Sequence, residues 1–180
     1  PQRLKCQGEF AREVETKLYT NFLNQELFAD DRVTPDFYPM NYDTHFQLFN
    51  IPVNIAHTTD SSNKESLGHQ FESVLVDLED DYHKLGPTDF GVDLVSTELK
   101  KKAIEEAIGD ILPVKMQMDC LYSVPTQMLV HIMSMENMMF AMYDYPELFK
   151  EMMDRIANDT LAYYKMLEEN RIPEAIISGN

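Results

Sequence analysis

The clearest structural signal in the chain is an apolar stripe near its carboxyl end. Asp144 can cap a helix there, and Pro146 suits the first turn because its fixed backbone angle is already helical. The residues of the stripe recur at spacings of three and four, which places them on one helix face. This spacing predicts a long helix over 146–169 that buries the stripe in a core; the stripe consists of Phe149, Met152, Met153, Ile156, Thr160, Tyr163, Tyr164 and Leu167.

Strand-like and helix-like segments alternate along the rest of the chain. A first helix is predicted within residues 1–35, where apolar residues recur every fourth position from Phe10 to Phe22, and Pro35 marks its latest end. Such alternation predicts an α/β protein with parallel strands. The further predicted strands are 36–41, 52–57, 71–76, 112–119 and 175–178, and the further predicted helices are 78–85, 97–108, 125–135 and 136–143.

The charge balance excludes two classes of partner. The chain of 180 residues carries 31 acidic and 15 basic residues, a formal net charge of −16. A field of that sign repels phosphate backbones and anionic lipid, so nucleic acid and membrane surfaces are not expected partners. The longest apolar run, 138–143, is far shorter than the roughly 18 residues of a membrane span.

The cysteines and methionines favour structural roles. Cys6 and Cys120 are too few for a disulfide framework and lack the spacing of a zinc site, so we interpret them as reduced thiols in a cytoplasmic protein. The histidines at 45, 57, 69 and 83 show no ligand spacing. Most of the 12 methionines lie between Met116 and Met166 at helical spacing, which favours core packing over a metal-binding methionine box.

Four segments together resemble the uroporphyrinogen decarboxylase superfamily. They are FESVLVDLEDDYHKL at 71–85, GDILPVKMQMD at 109–119, the segment from PTQMLVHIM to FKEMMDRI at 125–156, and DTLAYYKMLEE at 159–169. The resemblance extends over 36–180. It implies a (βα)8 barrel, which needs about 250 residues. We therefore expect a partial (βα)8 barrel, its N-terminal half, over 36–180, preceded by an N-terminal helical segment over 1–35.

The superfamily contains two kinds of chemistry. True uroporphyrinogen decarboxylases are expected to carry an Arg-Gln-Ala-Gly-Arg motif that binds substrate carboxylates, and this chain lacks it. The resemblance therefore favours the other branch, methyl (one-carbon) transfer involving a corrinoid protein or a thiol. That branch uses zinc held by His-x-Cys and a distant Cys in the second half of the barrel, so no cofactor is expected within this chain and zinc only through ligands beyond it.

Two alternatives to methyl transfer stay open. One is decarboxylation of a porphyrinogen or another polycarboxylate, in which an aspartate stabilises the protonated pyrrole. The other is a non-catalytic half-barrel that forms a homodimer, because open strand edges and an open apolar face favour association. The resemblance implies a methyltransferase or decarboxylase for the intact protein, whereas half a barrel alone is expected to be inactive.

Candidate site residues follow from the barrel, in which function lies at the carboxyl ends of the strands. His131 lies where the resemblance places a substrate-facing residue, and a carboxylate within about 6 Å would make it a proton donor. Alternatively, His131 faces a methionine core, and Asp43 and Asp119 are only caps. The predicted catalytic residues are Asp119, His131 and Asp43, and the predicted binding residues for a small-molecule substrate are Asn41, Tyr122 and Asn180.

Overall fold

The structure is a computed structural model that describes residues 4–27, 33–59, 66–118, 124–172 and 176–177. Helices and short strands alternate along these residues. The helices are α1 (Glu9–Leu27), α2 (Leu78–Asp81), α3 (Leu94–Ile108), α4 (Pro125–Met133), α5 (Met135–Asp144) and α6 (Pro146–Glu169). The strands are β1 (Tyr38–Asn41), β2 (Thr44–Gln47), β3 (Ile55–Thr59), β4 (Ser66–Phe71), β5 (Asp89–Val92), β6 (Val114–Met118) and β7 (Ile176–Ile177).

Three small sheets organise the described strands. The largest is parallel, with β6 between β1 and β7. The other two are antiparallel pairs, β2 with β5 and β3 with β4. One-turn 3-10 helices at Leu48–Asn50 and Tyr82–Lys84 connect these pairs to the rest of the chain.

The prediction of a partial (βα)8 barrel is wrong. The first half of such a barrel alternates successive parallel strands with helices, whereas β2, β3, β4 and β5 form antiparallel pairs and the described parallel sheet has three strands. Parallel neighbours need a crossover of a dozen or more residues, usually a helix. Between β2 and β5 the chain supplies only the four-residue α2 and two 3-10 turns as described helix. The strands therefore fold back on one another, and the fold is mixed α/β.

Helix α6 confirms the prediction made from the apolar stripe. It has the predicted bounds, and its 24 residues make it the longest described helix. Met152, Ile156 and Leu167 are buried. Phe149 and Met153 are only half-buried, although they pack against the same core. The stripe therefore marks the core face, with its flanking members at the edge of the core.

The main core lies between α6, α4 and α5 on one side and the segments around α2 on the other. Leu75, Leu129 and Met152 are fully buried there. The backbone N–H groups of Val74 and Leu75 donate to the carbonyl of Ile132 at 2.8 and 3.0 Å. This attachment ends β4 at Phe71, so the strand predicted at 71–76 is wrong beyond its first residue.

A second cluster joins α1 to the parallel sheet. Phe10, Val14 and Leu18 of α1 pack against buried Tyr38 and Met40 of β1. α1 thus covers one face of the sheet, and the polar residues of β1 and β6 lie on the other face because side chains alternate along a strand. The boundary predicted at residue 35 stays a prediction. Neither α6 nor any other described helix combines the length and apolar character that crossing a membrane needs.

Candidate functional site

The carboxyl ends of β1 and β6 lie side by side and carry an amide pair. Asn41 ends β1 and stands opposite Gln117 in the parallel register. The amide nitrogen of Gln117 donates to Oδ1 of Asn41 at 2.9 Å. Asn41 is exposed and Gln117 is half-buried. In open α/β sheets, ligands bind beyond the carboxyl ends of parallel strands, so this edge is the candidate site.

The amide pair keeps hydrogen-bonding capacity for a ligand. Each carboxamide has two N–H donors and a carbonyl acceptor with two lone pairs. The mutual bond uses one Gln117 donor and one Asn41 acceptor. The Asn41 amide nitrogen and the Gln117 carbonyl oxygen can then face a substrate with a donor and an acceptor side by side. Both groups are neutral, so they suit a polar tail without requiring charge.

Asp43 follows the edge two residues after Asn41 and is held by α3. Nζ of Lys100 donates to both carboxylate oxygens of Asp43 at 2.7 Å, and Oγ of Ser96 donates to Oδ2 at 2.6 Å. Partial burial raises the pKa of Asp43, but the bonds from Lys100 and Ser96 and the charge of Lys100 outweigh it, so the pKa is lowered. Asp43 is therefore a carboxylate engaged by two side chains.

The backbone of Asp43 is also tied to the start of α3. Its N–H donates to Oγ1 of Thr97 at 3.0 Å, and its carbonyl accepts from the N–H of Asp93 at 2.8 Å. Asp93 in turn caps α3 by accepting from the N–H of Ser96. Thr97 is buried and completes the arrangement by donating to the Asp93 carbonyl. This geometry makes Asp43 a residue that positions α3 beside the sheet edge.

His131 lies elsewhere in the described structure. Its ring stacks on Phe71, with ring centroids 4.0 Å apart and planes inclined by 28°. Within the part of the chain that the structure describes, no hydrogen bond, ion pair or ring contact joins His131 to Asn41 or Asp43. The structure therefore brings Asn41 and Asp43 to one sheet edge and leaves His131 with β4, and its role as a proton donor stays a prediction.

The remaining candidate residues lie outside the described residues. They are Asp119, Tyr122 and Asn180. β6 ends at Met118 and β7 at Ile177, so Asp119 follows the central strand directly and Asn180 follows its neighbour by three residues. Their proposed roles stay predictions.

Sequence reasoning missed Gln117 and the partner of Asp43. Gln117 is one of the two polar members, with Lys115, of the alternating segment before Asp119, and a parallel pairing of β1 with β6 places it beside Asn41. Lys100 had no local signal, because its contact with Asp43 joins residues 57 positions apart.

The described residues contain no set of side chains arranged to bind zinc. No group of three His, Cys, Asp or Glu side chains among them is placed to hold a metal ion. The prediction of zinc held by ligands beyond this chain stays a prediction.

Comparison with protein-family models, with curated proteins and with solved structures finds no match to this chain.

Proposed function

We propose that the protein takes part in methyl (one-carbon) transfer, with the carboxyl edge of β1 and β6 as the binding site for the small-molecule substrate. The amide pair of Asn41 and Gln117 is the observation that carries the site. The resemblance of 36–180 to the uroporphyrinogen decarboxylase superfamily supports the chemistry. The donor is a corrinoid and the acceptor a thiol.

Charge at the edge favours this chemistry over decarboxylation of a polycarboxylate. Several substrate carboxylates need several cations opposite them. Lys100 is the cation bound at Asp43, and its charge is already balanced by that carboxylate. The formal net charge of −16 adds long-range repulsion of a polyanion. A neutral amide pair instead suits a thiol carrying a hydroxyl, amide or single carboxylate.

In the proposed reaction, the chain's own residues bind and orient the acceptor. The cobalt–carbon bond of the corrinoid substrate breaks with its electron pair left on cobalt, the methyl carbon bonds to sulfur, and the thiol proton leaves to solvent. Asn41 and Gln117 hold the polar tail of the thiol, which fixes the direction of its sulfur. Holding a reactant in a productive orientation lowers the entropic part of the activation barrier for methyl transfer.

Product analysis tests the proposed function. The protein is incubated with methylcobalamin and 2-mercaptoethanol, and in parallel with a porphyrinogen polycarboxylate. The proposal expects the methyl thioether above the protein-free rate, and a lower rate for Asn41→Ala at unchanged thermal stability. A thioether rate equal to the protein-free control overturns it, and release of carbon dioxide from the porphyrinogen establishes the decarboxylase alternative instead.

A further inference from the structure

Helix α5 turns a row of large apolar side chains toward solvent. Met138 and Ala141 are its buried members. Successive helical residues are about 100° apart, so Met135, Met139 and Tyr143 form a line on the side away from Ala141. The outer face of α5 is here defined by five exposed side chains: Met135 (60%), Met139 (54%), Phe140 (57%), Met142 (40%) and Tyr143 (87%).

The backbone sets this face apart from α4. Ser134 has a φ of 64° and a ψ of 160°, which breaks the helix between Met133 and Met135. Its Oγ accepts from the N–H of Asn137 at 3.2 Å and caps α5. Nδ2 of Asn137 donates to the carbonyl of Leu75 on the inner side. α5 is therefore anchored from within, and its orientation leaves the outer face free of the core.

The exposed apolar side chains of the outer face lie too close together for an ordinary protein surface. Single exposed apolar residues are common, whereas contiguous ones mark interaction sites. Here five of the ten residues of α5 are exposed large apolar side chains. Methionine is flexible and polarisable, so methionine-rich surfaces adapt to partner side chains. The prediction that the methionines fill the core therefore fails for Met135, Met139 and Met142.

Acidic residues lie within the outer face and just after it. Glu136 lies within it, and Asp144 and Glu147 follow it, while no Lys or Arg occurs anywhere between Lys115 and Lys150. Just after the end of α5, the hydroxyl of Tyr145 donates to Asp77 at 3.0 Å. That hydrogen bond, then desolvation, and then the charges of Asp77, Glu79 and Asp144 raise the pKa of Tyr145. Glu136, Asp144 and Glu147 thus form an acidic rim along and just after the face.

We propose that the outer face of α5 docks a basic amphipathic helix of a partner protein, with Leu, Ile or Phe against the methionines and Lys or Arg against the acidic rim. Helix-in-groove recognition uses apolar anchors at such spacing. A second copy of this chain brings the same charge of −16, and anionic lipid is also repelled. Charge complementarity therefore selects a cationic partner helix.

A designed peptide tests the proposal. The probe is a fluorescein-labelled helical peptide of about 18 leucine and lysine residues. As a helix it is about 27 Å long, which exceeds the roughly 15 Å of α5. Its dissociation constant is measured by fluorescence anisotropy at two salt concentrations. A leucine–glutamate peptide of the same pattern is the charge control. The proposal expects the lysine peptide to bind at least about tenfold tighter than the glutamate peptide, and more weakly at high salt.

Two variants separate docking on the methionines from unspecific attraction. The double variant Met135→Gln/Met139→Gln removes two anchors, and Leu161→Gln changes a side chain of α6 with similar exposure, 56%. The proposal expects about a tenfold loss for the double variant and less than about a twofold change for the control. Circular dichroism melts confirm that both variants stay folded.

Three results overturn the proposal. The first is an unchanged affinity of the double variant for the lysine peptide, which leaves only diffuse charge attraction. The second is a homodimer in sedimentation that the double variant dissociates, which assigns the face to contact between copies. The third is binding to neutral phosphatidylcholine vesicles that the double variant abolishes while the native protein ignores the peptide.

Discussion

Replacing Asp43 by Asn tests how the candidate site is held together. Asparagine keeps the shape of the side chain, the backbone bond to Thr97 and an acceptor for Ser96, but it removes the charge that Lys100 contacts at 2.7 Å. The side chains of Lys100 and Asp43 are 43% and 29% exposed, so water screens the lost attraction. After that discount we expect a loss of about 1 kcal/mol in the free energy of unfolding near neutral pH.

The pH dependence of the Asp43→Asn effect follows from the sign of the shift. The pKa of Asp43 is lowered in the folded protein. Its contribution is therefore fully present above the unfolded pKa of about 3.9 and is lost as pH falls through the folded value. The difference between the native protein and Asp43→Asn is expected to be constant above about pH 5 and to shrink below about pH 4.

Urea unfolding followed by circular dichroism measures this difference. Glu106→Gln is the matched control, because Glu106 forms a looser pair with Lys102 on the same helix at 3.9 Å, with both side chains about 70% exposed. The control is expected to cost less than about 0.5 kcal/mol. Equal stability of Asp43→Asn and the native protein, or a difference that persists below Asp43's titration, refutes the argument that this ion pair holds α3 to the sheet edge.

Three further changes test the fold by the same unfolding assay. Ile156→Asp places a charge at a core position that is 1% exposed and should cost several kcal/mol, so a loss below about 1 kcal/mol contradicts the core face of α6. Arg155→Met removes the guanidinium hydrogen bonds to the carbonyls of Leu85 and Gly86 and should cost about 3 kcal/mol. A loss under about 1 kcal/mol shows that water satisfies these carbonyls in place of the guanidinium. Ser134→Gly should leave stability unchanged or raise it, because relief of backbone strain at φ 64° and ψ 160° offsets the loss of the helix cap. Ser134→Ala loses the cap and keeps the strain, so it should cost about 1 kcal/mol. A glycine variant less stable than the alanine variant contradicts this reasoning.

Local periodicity explains which elements the sequence predicted well. The stripe of α6 repeats over about five turns, and the observed helix has the predicted bounds. The apolar run at 71–76 is short, and short runs do not distinguish a strand from another buried segment. Leu75 is indeed fully buried, but its N–H bonds to Ile132 rather than to a strand. The sequence therefore predicted that this segment is buried, but not how its backbone is hydrogen-bonded.

Pairings between distant residues explain what the sequence did not predict. The antiparallel pairing of β2 with β5 joins Thr44 to Val92, and no local pattern encodes it. The alternation of strand-like and helix-like segments predicted parallel strands, and the resemblance predicted the barrel. Asn41 was placed correctly at the end of a strand, whereas Gln117 needed the register of β1 against β6.

The kinetics of thiol methylation by Gln117→Ala test the central claim most directly. Gln117 donates to Asn41 and presents its carbonyl at the sheet edge, and losing a neutral hydrogen bond to substrate costs about 1 kcal/mol. With methylcobalamin saturating, we expect kcat/KM for the thiol to fall by about five- to tenfold, while the free energy of unfolding stays unchanged. An unchanged kcat/KM in a variant of native stability contradicts the assignment of this edge as the substrate site.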